Sequence, residues 1–267
     1  MFGRRRKRAQ EVDEATRHSV EQQLRQMGIV GPGDGPIRLE RVGAAGPVAP
    51  AAAPAAEALR LRVRSDLPDQ LVHGMVSRPL AQGVWEIVAV DQPTSMMLLP
   101  RPADRDEAAL FRDAVTNTVE EPFTLDRIDE APIPLLHIGG THEYMAAHVH
   151  VLSRYLARPF ADGALVAFPV PQVVLVHQIA DRHPFVAAGV LQQLAEAVVA
   201  DGEKPISGQV FWWRPSPREL AAPGRDVETG HRPDLRPVTV QVGSGGAMSV
   251  HGDADFRQLA ERLSHLQ

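Results

Sequence analysis

The feature that most constrains this chain is a pair of nearly continuous apolar segments, residues 164–168 and 173–179, joined by Pro169, Val170 and Pro171. Both segments are rich in β-branched and aromatic residues, which favour strands, and the proline-containing connection favours a tight reversal. A strand that is apolar at successive positions is buried on both faces, because alternate side chains point to opposite sides of a sheet. These residues therefore predict a hairpin at the centre of a sheet.

The order of a hairpin followed by a helix occurs three times along the chain. A helical pattern follows the central hairpin from about Pro184, and residues 84–99 and 238–250 each contain two strand-like segments around a turn. The helices after these two outer hairpins begin after acidic cap candidates: Asp104 or Asp106, and Asp253 or Asp255. The repeated order predicts an α+β fold with a largely antiparallel sheet and helices packed on it, and not a βαβ nucleotide-binding fold.

Further elements are predicted between and after these units. Residues 124–128 and 133–138 are strand candidates, and Thr141 is the expected N-cap of the next helix. The apolar stripe of that helix consists of Met145, Val149, Leu152 and Leu156. Residues 209–213 form another strand candidate, and residues 215–233 are rich enough in proline, glycine and charge to predict a long loop.

Trp212 and Trp213 are adjacent on the strand predicted at 209–213, so their side chains should lie on opposite faces. One of them belongs in the core. The other, for which we choose Trp213, is a candidate for protein contact, because exposed aromatic residues often anchor interfaces.

The N-terminal part differs from the rest in composition. Five of the first eight residues are basic: Arg4, Arg5, Arg6, Lys7 and Arg8. Strong helix formers follow, so residues 1–30 predict a basic helical arm. Residues 31–57, rich in glycine, proline and alanine, predict a linker that contains a short strand near 37–42. The α+β domain is expected to span residues 58–267.

Charge and composition exclude several classes of protein. The net charge is −5, and subtracting the +5 of the arm leaves the remainder at −10, so nucleic acid or anionic lipid could bind only through Arg4–Arg8. The arm could equally contact an acidic partner or be a solubilising tail. The absence of cysteine excludes disulfides, thiolate metal sites and a cysteine nucleophile. No apolar run approaches the roughly 20 residues of a membrane helix, and no export signal is evident, so we expect a cytoplasmic protein that is not an integral membrane protein.

Five of the eleven histidines lie within residues 135–179. On a helix, the imidazoles of His142 and His148 would point about 120° apart, and those of His148 and His150 about 160° apart, which does not suit one metal ion. His137 and His142 could still approach each other across the turn between them. We predict no metal ion and no cofactor.

The turn between His137 and Glu143 contains the least implausible catalytic candidates in the sequence: His137, His142 and Glu143. The sequence GGTHE at this turn lacks the lysine of a phosphate-binding loop and the three-glycine dinucleotide pattern. No serine lies in a G-x-S-x-G elbow. Sequence patterns therefore identify no complete catalytic set.

Three segments resemble a bacterial family of conserved proteins of undetermined function. They are residues 114–117 near the end of a helix, 146–152 (AAHVHVL), and 163–176 (GALVAFPVPQVVLV), and the resemblance extends over roughly residues 80–215. The chain differs at residues 170–172, Val-Pro-Gln, where the family tends to carry an arginine–aspartate pair. The resemblance implies the architecture and no activity.

These patterns lead to two functional hypotheses. The first is a non-enzymatic cytoplasmic module that binds another protein, as an adaptor, chaperone or immunity protein does, because the catalytic set is missing and the arm is tethered by a linker. The alternative is a hydrolase or a small-ligand-binding protein that uses the His137–Glu143 turn. The two are distinguished by whether the side chains of this turn converge on one pocket.

Overall fold

The structure, a computed structural model, describes residues 39–44, 58–65, 67–91, 96–101, 106–128, 133–180, 184–242 and 248–265. The predicted arm at 1–30, most of the linker and the cap candidate Asp104 lie outside these ranges.

The described part of the chain contains twelve strands, which form two sheets. An eight-stranded sheet has the order β1-β6-β7-β9-β8-β10-β11-β12, and all of its neighbouring strands are antiparallel. Its strands are β1 (Leu39–Ala44), β6 (Thr124–Ile128), β7 (Leu135–Gly139), β8 (Ala164–Ala167), β9 (Val173–Gln178), β10 (Val210–Arg214), β11 (Asp234–Val242) and β12 (Met248–His251). A smaller sheet has the order β2-β4-β3, with β5 also paired to β4. Its strands are β2 (Ala58–Ser65), β3 (Ser77–Ala81), β4 (Val84–Asp91) and β5 (Met96–Leu98).

Five α-helices and two 3₁₀ helices complete the described elements. The α-helices are α1 (Asp69–Gly74), α2 (Glu107–Val119), α3 (Pro184–Asp201), α4 (Pro217–Ala221) and α5 (Ala254–Ser264). The first 3₁₀ helix spans Met145–Arg154 and the second spans Arg225–Thr229. Within the described residues, no helix is long and apolar enough to cross a membrane.

The predicted α+β architecture is confirmed, including the three hairpins and the helices after them. The central hairpin is β8–β9, and its strands lie in the middle of the large sheet, as their continuous burial requires. Asp106 and Asp253 cap α2 and α5 by accepting hydrogen bonds from the N–H groups of Ala108 and Phe256. The short strand expected within the linker is β1, which pairs with β6 at the edge of the large sheet.

Each face of the large sheet packs against different elements. On one face, Leu191 and Leu194 of α3 and Phe256 of α5 pack with Leu165 and Trp212. On both helices the buried residues recur at helical spacing and form one apolar face. This face is therefore a helix-on-sheet layer of the ordinary α+β kind.

The opposite face is covered by the first 3₁₀ helix and the small sheet. Val149 and Leu152 of that helix share a core cluster with Val63 and Leu80 of the small sheet and with Phe211 of β10. Helix α2 adds a third cluster against β2, β4 and the same 3₁₀ helix. The first 3₁₀ helix thus lies at the centre of the molecule.

Two sequence predictions about local structure were wrong. The element after β7 is a 3₁₀ helix and not an α-helix, and Tyr144, not Thr141, occupies its N-cap position without a side-chain hydrogen bond. All residues from Met145 to Ser153 are buried, so a single apolar stripe could not describe it. The segment 215–233 is not one long loop either, because it contains α4 and the second 3₁₀ helix.

Candidate functional site

His137 lies on β7 directly opposite Asp126 of β6. Its ring is buried, with Nδ1 3.5 Å from Oδ2 of Asp126. It lies two residues after Leu135 on the same strand, so both side chains point to the sheet face that α3 covers. A Cβ atom at Gly139 would lie 2.5 Å from the ring, so the glycine there makes room for the imidazole.

Glu143 forms ion pairs with Arg62 of the small sheet and with Lys204. Partial burial would raise the pKa of Glu143, but the hydrogen bond from Lys204 and the charge of Arg62 outweigh burial and hold the pKa below its ordinary value. A carboxylate held in this way is a structural anion and a poor general base.

His142 is half-buried, and both of its ring nitrogens are shielded from solvent. Burial lowers its pKa, which keeps the ring neutral. His137 therefore lies under α3 on one face of the large sheet, while Glu143 is engaged with the small sheet. The structure does not bring the three predicted residues together in one pocket.

Of the predicted partner-binding residues, Arg4, Arg5, Arg6, Lys7 and Arg8 lie outside the described residues. Trp213 is only 3% exposed and packs near Phe160 on the face of the 3₁₀ helix. Trp212 is 6% exposed on the opposite face, where its Nε1–H donates to the carbonyl of Asp162. Both sheet faces are covered, so neither indole is available as a surface anchor.

A pocket with converging polar groups lies elsewhere, beside the ends of β10 and β11. Its volume is about 250 Å³. The polar residues that line it include His150, Arg214, Ser216, Glu219, Asp226 and His231. The first 3₁₀ helix contributes His150 to the wall, while α4 and the second 3₁₀ helix contribute Glu219 and Asp226.

His150 is held by a buried chain of hydrogen bonds. Its Nε2 lies 2.8 Å from Oε2 of Glu86, which is fully buried, and Arg78 donates to the other oxygen of the same carboxylate. Arg78 in turn stacks on the ring of Phe111 at 3.9 Å and donates to the carbonyl of Gly230. Burial would raise the pKa of Glu86, but His150 and Arg78 outweigh it and keep the pKa below its ordinary value.

This arrangement determines what His150 offers to the pocket. An ionised carboxylate only accepts hydrogen bonds, so Nε2 of His150 must carry the proton. Nδ1 has no hydrogen-bond partner among the residues that the structure describes.

Glu219 is buried in the wall of the pocket, and its carboxylate is hydrogen-bonded by neutral groups. Its carboxylate accepts from the hydroxyl of Ser153 and from the backbone N–H groups of Gly224 and Asp226. Its own backbone N–H donates to Ser216, the N-cap of α4. These bonds join the first 3₁₀ helix to the segment that follows β10, and they shape the pocket.

The sequence contained no signal for this pocket as a whole. His150 and Glu86 are 64 positions apart, and Ser153 and Glu219 are 66 positions apart, so no local spacing could relate them. The sequence relates His148 and His150 only by their spacing of two, and the structure buries them in different surroundings. His148 bonds to Tyr155 instead, through Nδ1 and the phenol oxygen at 2.6 Å.

No family model, curated protein or solved structure matches this chain. The resemblance of residues 80–215 to a bacterial family stays a prediction. Within the described residues, no group of three or more histidine, aspartate or glutamate side chains is arranged to hold a metal ion. The geometry of the pocket is therefore the basis for a functional proposal.

Proposed function

We propose that this chain is a non-enzymatic, cytoplasmic protein-interaction module of the adaptor, chaperone or immunity type, and that its partner contacts the pocket around His150. One observation carries the proposal: the pocket contains fixed polar groups, and among the residues that the structure describes no nucleophile is bonded to His150. The hydroxyl groups of Ser153 and Ser216 serve Glu219 and the cap of α4 among the described residues. Nucleophilic catalysis needs a nucleophile within hydrogen-bond reach of its base, whereas recognition does not.

The size and the rim of the pocket support a protein partner. At about 250 Å³ the pocket is smaller than the roughly 300–1,000 Å³ of typical small-molecule sites, and it suits one side chain of a larger partner. His231 and Arg232 are exposed at its rim. Binding residues commonly lie on such connecting segments, placed by a rigid scaffold.

The test is site-specific photocrosslinking of the full chain in the cells that produce it. We expect p-benzoylphenylalanine at His231, on the rim, to give a discrete adduct with one protein. The matched control is the same group at Arg218, which is exposed on α4 and does not line the pocket. The proposal is contradicted if neither position gives an adduct, or if both give the same ones.

The basic arm is a second contact in this proposal, for nucleic acid, anionic lipid or an acidic protein surface. Its supporting observation is the clustering of Arg4–Arg8 on an otherwise acidic chain. Liposome and DNA binding should be measured with and without residues 1–8 at two salt concentrations. Salt-independent binding, or binding that persists without these residues, would exclude an electrostatic role for the arm.

The pair formed by Glu86 and His150 favours one second candidate, a hydrolase or small-ligand-binding protein. A carboxylate that orients an imidazole, whose other nitrogen lacks a partner, is the geometry of a general base. Hydrolysis of a panel of activated esters by the wild-type chain, abolished in His150→Gln, would support this candidate. Equal rates in both proteins would rule out this role for His150.

A further inference from the structure

Strand β1 is held in the fold mainly by one neighbour. It is the edge strand of the large sheet, and among the described elements it has extensive contacts with β6 alone. An edge strand with a single neighbour is released by local unfolding at a lower cost than a strand inside a sheet. Its release leaves β6 paired with β7, and β7 with β9. Strand β1 is therefore able to leave one β6 edge and pair with another.

The register of the β1–β6 pair is specific in charge. Glu40 lies opposite Arg127, and Arg41 lies opposite Asp126. Opposite charges at directly facing positions of an antiparallel pair stabilise it, whereas like charges destabilise it. Asp126 is 1% exposed, and a carboxylate buried so deeply is costly unless positive charge or hydrogen bonds compensate it. The edge of β6 therefore selects a strand with the sequence of β1.

The connection from β1 to β2 is long and rich in proline. Residues 45–57 contain Pro47, Pro50 and Pro54. A linker of this composition is a semi-rigid spacer that extends about 3.1 Å per residue, so this one reaches about 40 Å. A compact body of residues 58–267 has a radius of gyration of about 17 Å, which makes it roughly as wide as the spacer is long. The spacer thus reaches the β6 edge of a neighbouring copy, and its stiffness opposes folding back.

We propose that two copies of the chain exchange β1, so that β1 of each copy pairs with β6 of the other. Both copies have the same residues, so the exchange retains every β1–β6 pairing of the single chain. It changes only the connection through the linker, and such an exchange is a low-cost route to a symmetric dimer. Three strands separate β6 from β10, so the exchange does not depend on the pocket around His150.

Disulfide trapping tests the exchange cleanly, because the chain contains no cysteine. Facing residues of an antiparallel pair have Cα atoms about 4.5–5.5 Å apart, which suits a disulfide. The full chain with Glu40→Cys and Arg127→Cys should, after oxidation, run as a covalent dimer on a non-reducing gel. The two cysteines that face each other belong to different copies, and peptide mapping should find residue 40 joined to residue 127.

The matched control is the chain with Thr239→Cys and His251→Cys. These exposed residues lie opposite each other on β11 and β12, which form a hairpin. Oxidation of this variant should give a cross-linked monomer. The wild-type chain at micromolar concentration should have twice the mass of one chain, 29.1 kDa, by light scattering.

A variant of the linker tests why the exchange is favoured. Replacement of Pro47, Pro50 and Pro54 by glycine should raise the dissociation constant of the dimer about tenfold or more, because a flexible linker folds back more readily. The inference is overturned if the chain with cysteines at 40 and 127 runs as a cross-linked monomer, or if the wild-type chain has the mass of a monomer. It is also overturned if the glycine linker leaves the dissociation constant unchanged.

Discussion

At the scale of single residues, the buried ionisable groups are accommodated in three different ways. Glu86 stays charged, because Arg78 and His150 both hydrogen-bond to its carboxylate. Glu219 is surrounded by neutral donors. His148 is neutral, because burial lowers its pKa to about 3, and it bonds to Tyr155 while Phe123 packs on its ring. Each solution has a different consequence for stability.

His148 should make the protein less stable in mild acid. Its pKa is about 3 in the folded state and about 6.5 in the unfolded state, so between these values the unfolded chain binds the proton more readily. Well above pH 6.5, His148 is neutral in both states and does not make stability depend on pH. As the pH falls below 6.5, protonation of the unfolded chain lowers the free energy of unfolding. We expect the free energy of unfolding, measured in urea, to be about 2 kcal/mol lower at pH 5 than at pH 7 on this account.

The His148→Gln variant should lose most of this difference between pH 7 and pH 5, because an amide does not titrate. His142 acts in the same direction, since burial lowers its pKa as well, and it leaves a smaller residual slope. The depressed pKa of Glu86 acts only below about pH 4.5, outside this window. His231→Gln, at an exposed position, is the control and should keep the wild-type slope. An unchanged slope in His148→Gln would refute the assignment.

At the scale of elements, side chains cover strand edges that no neighbouring strand reaches. Along the outer edge of β2, Thr118 of α2 accepts from the N–H of Leu61, and Asn117 donates to the carbonyl of Leu59. The amide of Gln192 bonds both backbone groups of Val240 on β11. Such capping prevents edge-to-edge association and explains, in structural terms, an asparagine near the end of α2.

Replacement of Thr118 by valine tests this capping with almost no change of shape. Thr118 is fully buried, and its Oγ1 lies 2.8 Å from the amide nitrogen of Leu61. The variant leaves that N–H buried and unpaired, so the free energy of unfolding should fall by about 1–3 kcal/mol. Urea denaturation gives the loss, and faster exchange of the Leu61 amide locates it.

The matched control is Thr239→Val, at an exposed position on β11, which should change stability by less than about 0.5 kcal/mol. Equal effects of the two substitutions would show that the edge bond contributes nothing specific.

The first 3₁₀ helix shows why local pattern was insufficient for one element. Its sequence has the apolar spacing of an amphipathic helix, yet the element is buried all round, between the large sheet and α2. The element is also kinked, because the backbone of Val151 is not helical, with φ −127° and ψ 21°. Packing on two sides outweighed propensity here, which no window of sequence can reveal.

At the scale of the whole molecule, the two sheets share one core cluster. Val63, Leu80 and Val84 of the small sheet pack in the same cluster as Phe211 and Trp213 of the large sheet. Exposing either sheet would therefore expose apolar surface of the other, and we expect the domain to unfold as one cooperative unit.

Native-state hydrogen exchange tests this expectation. The amide of Val88 on β4 donates to the carbonyl of Val76, and Leu175 lies on β9 between β7 and β8. Their opening free energies should agree within about 1 kcal/mol, both at the global value. The amide of Ser249 in the short edge strand β12 should exchange through a smaller opening. A much lower value for Val88 than for Leu175 would mean that the small sheet opens alone.

The sequence by itself determined the α+β class, the three hairpins, the central position of β8 and β9, and an aspartate cap for α2 and for α5, each narrowed to two candidates. These features depend on side-chain periodicity and on residues close together in the chain, so a local pattern contains the information. Only the tertiary structure decided that Trp213 is buried, that His137 lies against Asp126, and that Glu143 is ion-paired with Arg62 and Lys204. Only the tertiary structure placed His150 against Glu86, and only it placed His150 and Asp226 in the lining of one pocket. Those contacts join residues more than 60 positions apart, and they form because the small sheet, the first 3₁₀ helix and the segment after β10 pack on the same face.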